Sequence, residues 1–593
     1  MIKNMIGFFL PACLALTAYC SINKPESGKP VASFIQAAKV DSLVAEVLEP
    51  GGPGCVVAVF KDQQIAFERG YGLANLDYGL PVTPATVFDI ASISKQFTAA
   101  CILILAERNQ LALDDDIRKF IPEFPDYGPK IEIRRLLNHT SGVRDWVWLL
   151  TLEGVPFENA ITRQELFELI YRQKNLAFAP GSDFVYSNSA YNLLSLIIER
   201  VSGMPLSRFV SREIFEPLGM KNSCVFDDRR MVVKNRALGY IPDEGDGWLM
   251  EHYFNPVFTG SSNIHSTLGD LLLWDRNFYT GDVGPPGMAA SMEDAGELNN
   301  GEAIKYGLGL WVGEYRELRT AGHDGDWAGS FAYMLRFPDQ RLTVLCLSNT
   351  HTFSPRRMCY KIADLCLAQW HAMELPERDR APAPRVPVGA DPSLYDVYSG
   401  EYVTESGRKL SLRLENEMLT GRFPGSRKFK LLPLSATEFF PEGDNATLSV
   451  FRDGAGVVER IEWRSGEKTT TYYDSPYKFS KYDISGKGAE YAGEYYSEDL
   501  RATYRIESAD QGLVLKSPIK SRYMMELTGI TGNDPLVALA EDSFRFAFFE
   551  IKFRRDKRGR VSGYTLIHPW ASLRIEFAKL EFRQPGYRSG INR

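Results

Sequence analysis

Cysteine is scarce in this sequence: eight residues in 593, two of them (Cys13 and Cys20) inside the first twenty, and no CxxC pair anywhere. A disulfide-stapled scaffold is therefore excluded. Of the remaining six, Cys101 and Cys346 sit in apolar runs and read as small buried hydrophobes, while Cys55, Cys224, Cys359 and Cys366 leave room for one or two bridges at most. The seven histidines form no HExxH or similar spacing, so neither a metal nor any other cofactor is expected. Excess positive charge is also lacking. Lys plus Arg number 68 against 75 for Asp plus Glu, a formal net charge of −7, which offers no field for a phosphate backbone and sets nucleic acid aside as a partner.

Long apolar runs are missing except at the start. Lys3 precedes the run Met5–Ala18, and a polar stretch from Ser21 to Pro30 follows. That run is too short to span a bilayer and suits a secretory signal peptide over residues 1–20, with cleavage after the small residue Ala18. Thr17-Ala18-Tyr19-Cys20 is a poor lipoprotein box because Tyr19 is bulky, so membrane anchoring is expected only through a lipidated Cys20. The expected location is outside the cytoplasm, in the periplasm or cell envelope.

What is present is enough chain for three or four domains with ordinary globular composition, 44% hydrophobic and 24% charged. The stretch 376–393, with Pro382, Pro384 and Pro387 among short charged residues, reads as an extended linker. Before it, residues 31–375 mix helical runs (Phe97–Gln110, Ala190–Val201, Met358–Trp370) with strand-like ones (Cys55–Phe60, Phe331–Phe337, Leu342–Leu347), which predicts an α+β or α/β domain. After it, short alternating stretches punctuated by Gly, Asn and Asp predict all-β structure.

The all-β tail repeats. Tyr398-Ser-Gly-Glu-Tyr402 recurs as Tyr491-Ala-Gly-Glu-Tyr495, an offset of 93, and Asp453-Gly-Ala-Gly-Val-Val458 matches Asp556-Lys-Arg-Gly-Arg-Val561 at an offset of 103. Two barrels of antiparallel strands are expected, over 394–484 and 488–585, each about the size that closes with eight strands. The second copy carries an insertion. Matching Leu432-Pro-Leu434 to Met525-Glu-Leu527 puts the extra residues near 529–541, where Gly529, Gly532, Asn533, Asp534 and Pro535 suggest an extended loop.

Candidate chemistry lies in the first region. Ser92-Ile-Ser-Lys95 opens the helical run, and residues three apart share a helix face, so a lysine amine can meet a serine hydroxyl that needs a base to become a nucleophile. Tyr186-Ser-Asn188 precedes a second helix and could present a phenol and an amide. His323-Asp-Gly325 precedes a strand-like run, where glycine permits close approach at an edge. Each alone is weak.

Their order and separation resemble the serine β-lactamase and penicillin-binding-protein superfamily, in the branch similar to class C β-lactamases, D-aminopeptidases and related esterases. Leu136-Leu-Asn-His-Thr-Ser-Gly142, Pro217-Leu-Gly-Met220 and Tyr306-Gly-Leu-Gly-Leu-Trp311 add to the likeness, and no Gly-x-Ser-x-Gly elbow points to the α/β-hydrolase alternative. The resemblance implies a β-lactamase/transpeptidase-like α+β catalytic domain followed by two lipocalin-like antiparallel barrels. It implies an acyl-enzyme at Ser92, Lys95 and Tyr186 sharing base and proton relay, and Asn188 orienting a substrate amide. His323 and Gly325 would line the substrate strand, and an oxyanion hole would form from the N–H groups of Ser92 and Asp326.

His323 in place of a lysine weakens recognition of a terminal carboxylate, which leans away from carboxypeptidase or β-lactamase activity. Asp324 and Asp326 could receive a substrate ammonium, but strand alternation is expected to turn both away from the His323 face. The catalytic domain with two barrels resembles the organisation of D-aminopeptidases, in which a loop of the last barrel enters the active site, and this implies a gating role for the 529–541 segment. A D-stereospecific aminopeptidase or amidase acting on a small peptide, D-amino acid amide or ester is thus the leading expectation. A broad esterase or weak β-lactamase/D-Ala peptidase is the alternative, and a non-catalytic peptide or glycan binder the minor one. Lys552–Arg560 is a basic hairpin that reads as a solvated turn.

Overall fold

The computed structural model describes residues 36–580 apart from 244–246, 252–254, 372–386, 389–394, 406–408, 424–427, 443–445, 466–467, 510, 521–529 and 569–571. The signal segment, Cys20 and nearly all of the linker lie outside the described residues.

The strand Cys55–Lys61 (β1) is buried from Cys55 to Phe60, because both faces of its sheet are covered. The sheet also holds Gln64–Tyr71 (β2), Trp311–Tyr315 (β3), Leu318–Trp327 (β4), Ser330–Phe337 (β5) and Leu342–Ser348 (β6), in the order β3-β4-β5-β6-β1-β2. Alternation divides β1 between two cores. Cys55, Val57 and Val59 pack with the helices Ala37–Ala45 (α1) and Pro355–His371 (α5), whereas Val56, Ala58 and Phe60 face the helix Ser94–Glu107 (α2) and the helical lobe beyond it. Because α2 is apolar almost all round, Ser94 to Leu105 are all buried, as befits a central helix. All six described cysteines are free, five of them buried, so the bridges allowed by the sequence do not form.

Each half of the tail is an eight-stranded antiparallel sheet. The first, from Gly400–Val403 to Lys468–Tyr472, curls until its ends join through paired Val403–Tyr473 backbone bonds of 2.7 and 2.9 Å. The second, from Gly493–Ser497 to Leu573–Lys579, closes where Tyr495 pairs with Lys579. Closure removes the unpaired edges that would invite other strands. The repeated tyrosines have the same job in both: Tyr402 Oη donates to Tyr398 O at 2.9 Å and Tyr495 Oη to Tyr491 O at 2.5 Å.

The insertion sits elsewhere than the sequence suggests. Asn533–Ala540 is a barrel strand, with Leu536 opposite Leu513, while Gly529 lies outside the described residues. The six-residue connection 423–428 of the first barrel corresponds to the sixteen-residue connection 517–532 of the second, so the ten extra residues enter between the third and fourth strands. An apolar-x-Leu triplet such as Leu432-Pro-Leu434 recurs too often along the chain to fix the register. Three arginines of the basic hairpin are ion-paired: Arg555 with Asp542 and Glu490, Arg560 with Asp556, and Arg554 with Glu576.

The second barrel shares one continuous apolar core with the helical lobe, whereas the first keeps its own. Its grip on the lobe centres on the helix Trp146–Glu153 (α3) and the residues before it. Tyr504 Oη donates to Leu152 O at 2.8 Å, and Arg144 Nη1 donates to Asp499 Oδ2 at 3.0 Å. Gly154, with φ +82°, ends α3 against Pro518, whose carbonyl oxygen would lie 2.3 Å from any added Cβ. No described helix is long and apolar enough to cross a membrane.

Candidate active site

Ser92 stands in the short 3₁₀ turn Ala91–Ile93 that leads directly into α2, so Lys95 follows one turn later on the same face. Ala91 before it is held at φ +44°, a conformation that costs a non-glycine residue about 1 kcal/mol or more. The buried Asp89 secures it by accepting the Ala91 N–H at 2.8 Å. The helix Asn188–Ser202 (α4) begins at the Ser187 cap, whose hydroxyl accepts from Ala190 N, so Tyr186 and Asn188 flank a fixed helix start.

Lys95 is fully buried and its Nζ lies 3.0 Å from Ser92 Oγ, 2.8 Å from Asn188 Oδ1 and 2.8 Å from Ser261 O. Burial lowers its pKa to about 7, against the opposing pull of Asp145 and Asp324. In the neutral amine, Asn188 Oδ1 and Ser261 O, which only accept, take its two hydrogens. The lone pair is then left for the Ser92 hydroxyl proton. Tyr186 hydrogen-bonds Ser92 as well, and burial foremost, then the charge of Asp324, push its phenol well above its usual value. Lys95 is thus the group that can be deprotonated at neutral pH, and Tyr186 stays a proton donor.

The structure brings Ser92, Lys95, Tyr186 and Asn188 together and places His323 beneath them. His323 Nδ1 is 2.6 Å from Asp324 O, a pure acceptor, so Nδ1 carries the proton and Nε2 accepts from Tyr306 Oη at 2.9 Å. Burial drops its pKa to about 4, so the ring is neutral. Gly325 lies against the turn that carries Ser92, where a Cβ would come within 2.4 Å of Ile90 O. The two-residue turn between Trp327 and Ser330 fixes the β4–β5 register, and alternation from it turns the N–H groups of Asp324 and Asp326 away from β5, toward the open edge beside Ser92.

A cleft of about 260 Å³ opens over Ser92, lined also by Trp146, Trp148, Trp311, Trp327, Asp324 and Asp326. Asp324 and Asp326 do lie opposite His323, as alternation predicts, but theirs is the face that lines the cleft, so the expectation that sets them aside as substrate contacts is corrected. At the end of β4, beyond its pairing with β3, alternation sends His323 inward and the two aspartates toward the cleft. The outer wall is backed by the second barrel: the Trp148 ring lies 5.6 Å from that of Phe548 and 4.5 Å from that of His568. The barrel thus reaches the site at Phe546–Phe549, beyond the 529–541 segment.

Sequence reasoning assigned no role to Asp145, Ser261 or Tyr306. Asp145 caps α3 and accepts from Asn188 N at 3.2 Å and Asn188 Nδ2 at 3.1 Å, fixing the amide that holds Lys95. Its only sequence signal is an Asp ahead of an apolar helix; the Ser261 carbonyl has none.

A family model described as Beta-lactamase matches residues 40–366, more than half the chain. The chain belongs to the beta-lactamase family. Within it, a relative named penicillin-binding protein 4* from Bacillus subtilis is 30% identical over 390 residues, 63% of this chain and 85% of the relative. A D-aminopeptidase of Brucella anthropi is 30% identical over 542 residues, 89% of this chain and 96% of the relative, so the likeness runs through both barrels. An octameric penicillin-binding protein homologue from Pyrococcus abyssi shares the fold at a TM-score of 0.53 and 23% identity, over 74% of this chain and all of that one. The chain is a serine hydrolase of this family.

The acid limb of its pH profile follows from Lys95. As pH rises through about 7 the ammonium loses its proton and the base appears. Turnover (kcat/KM) is expected to rise about tenfold per pH unit below that point and then level. A profile flat from about pH 5.5 to about 8.5 would assign proton acceptance to another group.

Proposed function

We propose that this chain is a D-stereospecific aminopeptidase or amidase that acts on small peptides, D-amino acid amides or esters through an acyl-enzyme at Ser92. The observation that carries the chemistry is the Lys95 amine, buried and 3.0 Å from Ser92 Oγ with its hydrogens committed elsewhere. D-stereospecificity draws its support from the relative of Brucella anthropi, whose likeness covers the catalytic region and both barrels.

In acylation Ser92 Oγ bonds to the substrate carbonyl carbon and its proton passes to Lys95. Charge on the carbonyl oxygen meets the N–H groups of Ser92 and Asp326. When the C–N bond breaks, Tyr186 gives its phenolic proton to the leaving nitrogen and recovers one from Lys95, so the proton lost by Ser92 departs with the amine. Water then attacks the ester, gives a proton to the same relay and releases the acid with Ser92 restored. Asn188, with one amide hydrogen on Asp145, keeps the other for the substrate.

Cleft size and the wall formed by Trp148 on Phe548 and His568 support short substrates. The run Met5–Ala18 behind Lys3 supports export to the periplasm or cell envelope, with membrane attachment only through Cys20.

The test compares D-alanine p-nitroanilide, L-alanine p-nitroanilide, a chromogenic cephalosporin and p-nitrophenyl acetate. The D-anilide is expected to exceed the L-anilide by about a hundredfold or more, on the scale at which a shaped polar site separates analogues. Turnover of ester and cephalosporin without any D-amide would replace this reading by the esterase or β-lactamase alternative.

A further inference from the structure

Asp324 projects a carboxylate into the cleft over Ser92; among the described residues lining it the charged side chains are Asp324 and Asp326, and the Lys95 amine lies buried behind Ser92. The Asp324 side chain is 48% exposed, yet it is held in place, because the Trp311 indole N–H donates to its Oδ1 at 2.9 Å. Trp311 in turn lies parallel to the Tyr186 ring, with centroids 6.1 Å apart and planes 8° from one another. The carboxylate is thereby fixed on the Tyr186 side of the cleft. Its charge reaches Tyr186, Tyr306, His323 and Lys95, in keeping with that placement.

The side matters. Asp326 N–H marks the carbonyl oxygen, and Asp324 stands two residues back along β4, about 6.6 Å at the usual strand rise. Tyr186 must touch the leaving nitrogen to protonate it. What lies just past that nitrogen, within reach of Asp324, is the first group of the leaving part. In a free dipeptide that group carries a carboxylate; in an amide or amine-capped peptide it does not.

We propose that Asp324 is a specificity-determining residue for the leaving group: it turns away leaving groups bearing a free carboxylate and favours uncharged or cationic ones. The inference rests on the proposed aminopeptidase or amidase reading for the identity of the leaving amine. It narrows the substrate class to amino acid amides and to peptides whose second residue is blocked, extended or basic, rather than free dipeptides. Like charges a few ångströms apart in a partly desolvated cleft are worth at least about a tenfold discrimination, and neutral His323 supplies nothing to offset it.

The experiment holds the acyl group at D-alanine and varies only the leaving part: D-Ala-Gly with its free carboxylate, D-Ala-Gly amide, and D-alanine N-(2-aminoethyl)amide, which leaves as a cation. Wild-type kcat/KM is expected to favour the glycinamide over the free acid at least about tenfold, with the cationic substrate equal to or above the glycinamide. Asp324→Asn should bring the three within about threefold of one another, the loss of one charge–charge contact. Each result is a ratio within one enzyme preparation, so a general loss of activity in the variant does not disturb it. Equal rates for acid and amide in wild type, or a preference that survives in Asp324→Asn, would overturn the proposal. If no D-alanyl substrate is turned over, the aminopeptidase reading falls separately. The same ratio, measured between 3-acetoxybenzamide and 3-acetoxybenzoate, then decides the role of Asp324.

Discussion

Ser92→Ala, Lys95→Ala and the double variant are expected to fall to one shared residual level, about 10⁴-fold or more below wild type in kcat. The geometry makes the two side chains one device. Among the described residues Lys95 Nζ has three hydrogen-bond partners, Ser92 Oγ, Asn188 Oδ1 and Ser261 O, and of these only the first can hand it a proton. Without the amine, Ser92 is left with the Tyr186 phenol, which burial and the charge of Asp324 keep protonated. Without the hydroxyl, the amine has no nucleophile to activate. Losses from parts that act together do not add, so the double variant should be no worse than either single one. Mass spectrometry of enzyme quenched during turnover of a D-alanyl ester supplies the second readout: an acyl adduct on wild type and none on Ser92→Ala. A Lys95→Ala enzyme retaining a tenth of wild-type kcat would remove Lys95 as the base, and an adduct on Ser92→Ala would remove Ser92 as the nucleophile.

Those residues were legible because each lies in a local pattern that fixes its place. Ser92 and Lys95 are one helical turn apart, and Tyr186 and Asn188 straddle a serine cap, so sequence spacing carries over almost directly into distance. The barrels were legible for the same reason, since their landmarks repeat at 93 and 103 and the ten-residue difference appears as the longer connection 517–532. What could not be read depends on contacts far apart in the chain. Ser261 offers a backbone carbonyl, which no side chain advertises, from a position 166 residues beyond Lys95. Alternation places Asp324 opposite His323, as found, but it does not say which side of β4 borders the cleft; the inward contact of His323 with Tyr306 does. The seating of the second barrel on the helical lobe runs through contacts more than 300 residues apart, such as Tyr504 with Leu152.

That seating carries the other large effect. Arg144→Ala is expected to destabilise the docked second barrel by about 3–5 kcal/mol, because it strands a desolvated Asp499. The two side chains are 1% and 7% exposed and 3.0 Å apart. Arg144 also donates to Gln173 Oε1 at 2.9 Å, to Arg574 O at 2.7 Å and to Asn175, so one guanidinium ties the lobe to two strand ends of the barrel. Its neighbour in sequence is Asp145, which holds Asn188 and through it Lys95. Loosening the barrel should therefore reach the chemistry, lowering kcat along with thermal stability. Replacing both partners at once, as Arg144→Met with Asp499→Leu, leaves no uncompensated buried charge and should cost less than either single change. Thermal unfolding and protease sensitivity of wild type, Arg144→Ala, Arg144→Met, Asp499→Leu and the double variant check this. If the double variant loses the sum of the single losses, or if Arg144→Ala unfolds within about 1 °C of wild type where 1 kcal/mol shifts a domain the size of the barrel by about 4–8 °C, the pair does not hold the barrel to the catalytic lobe.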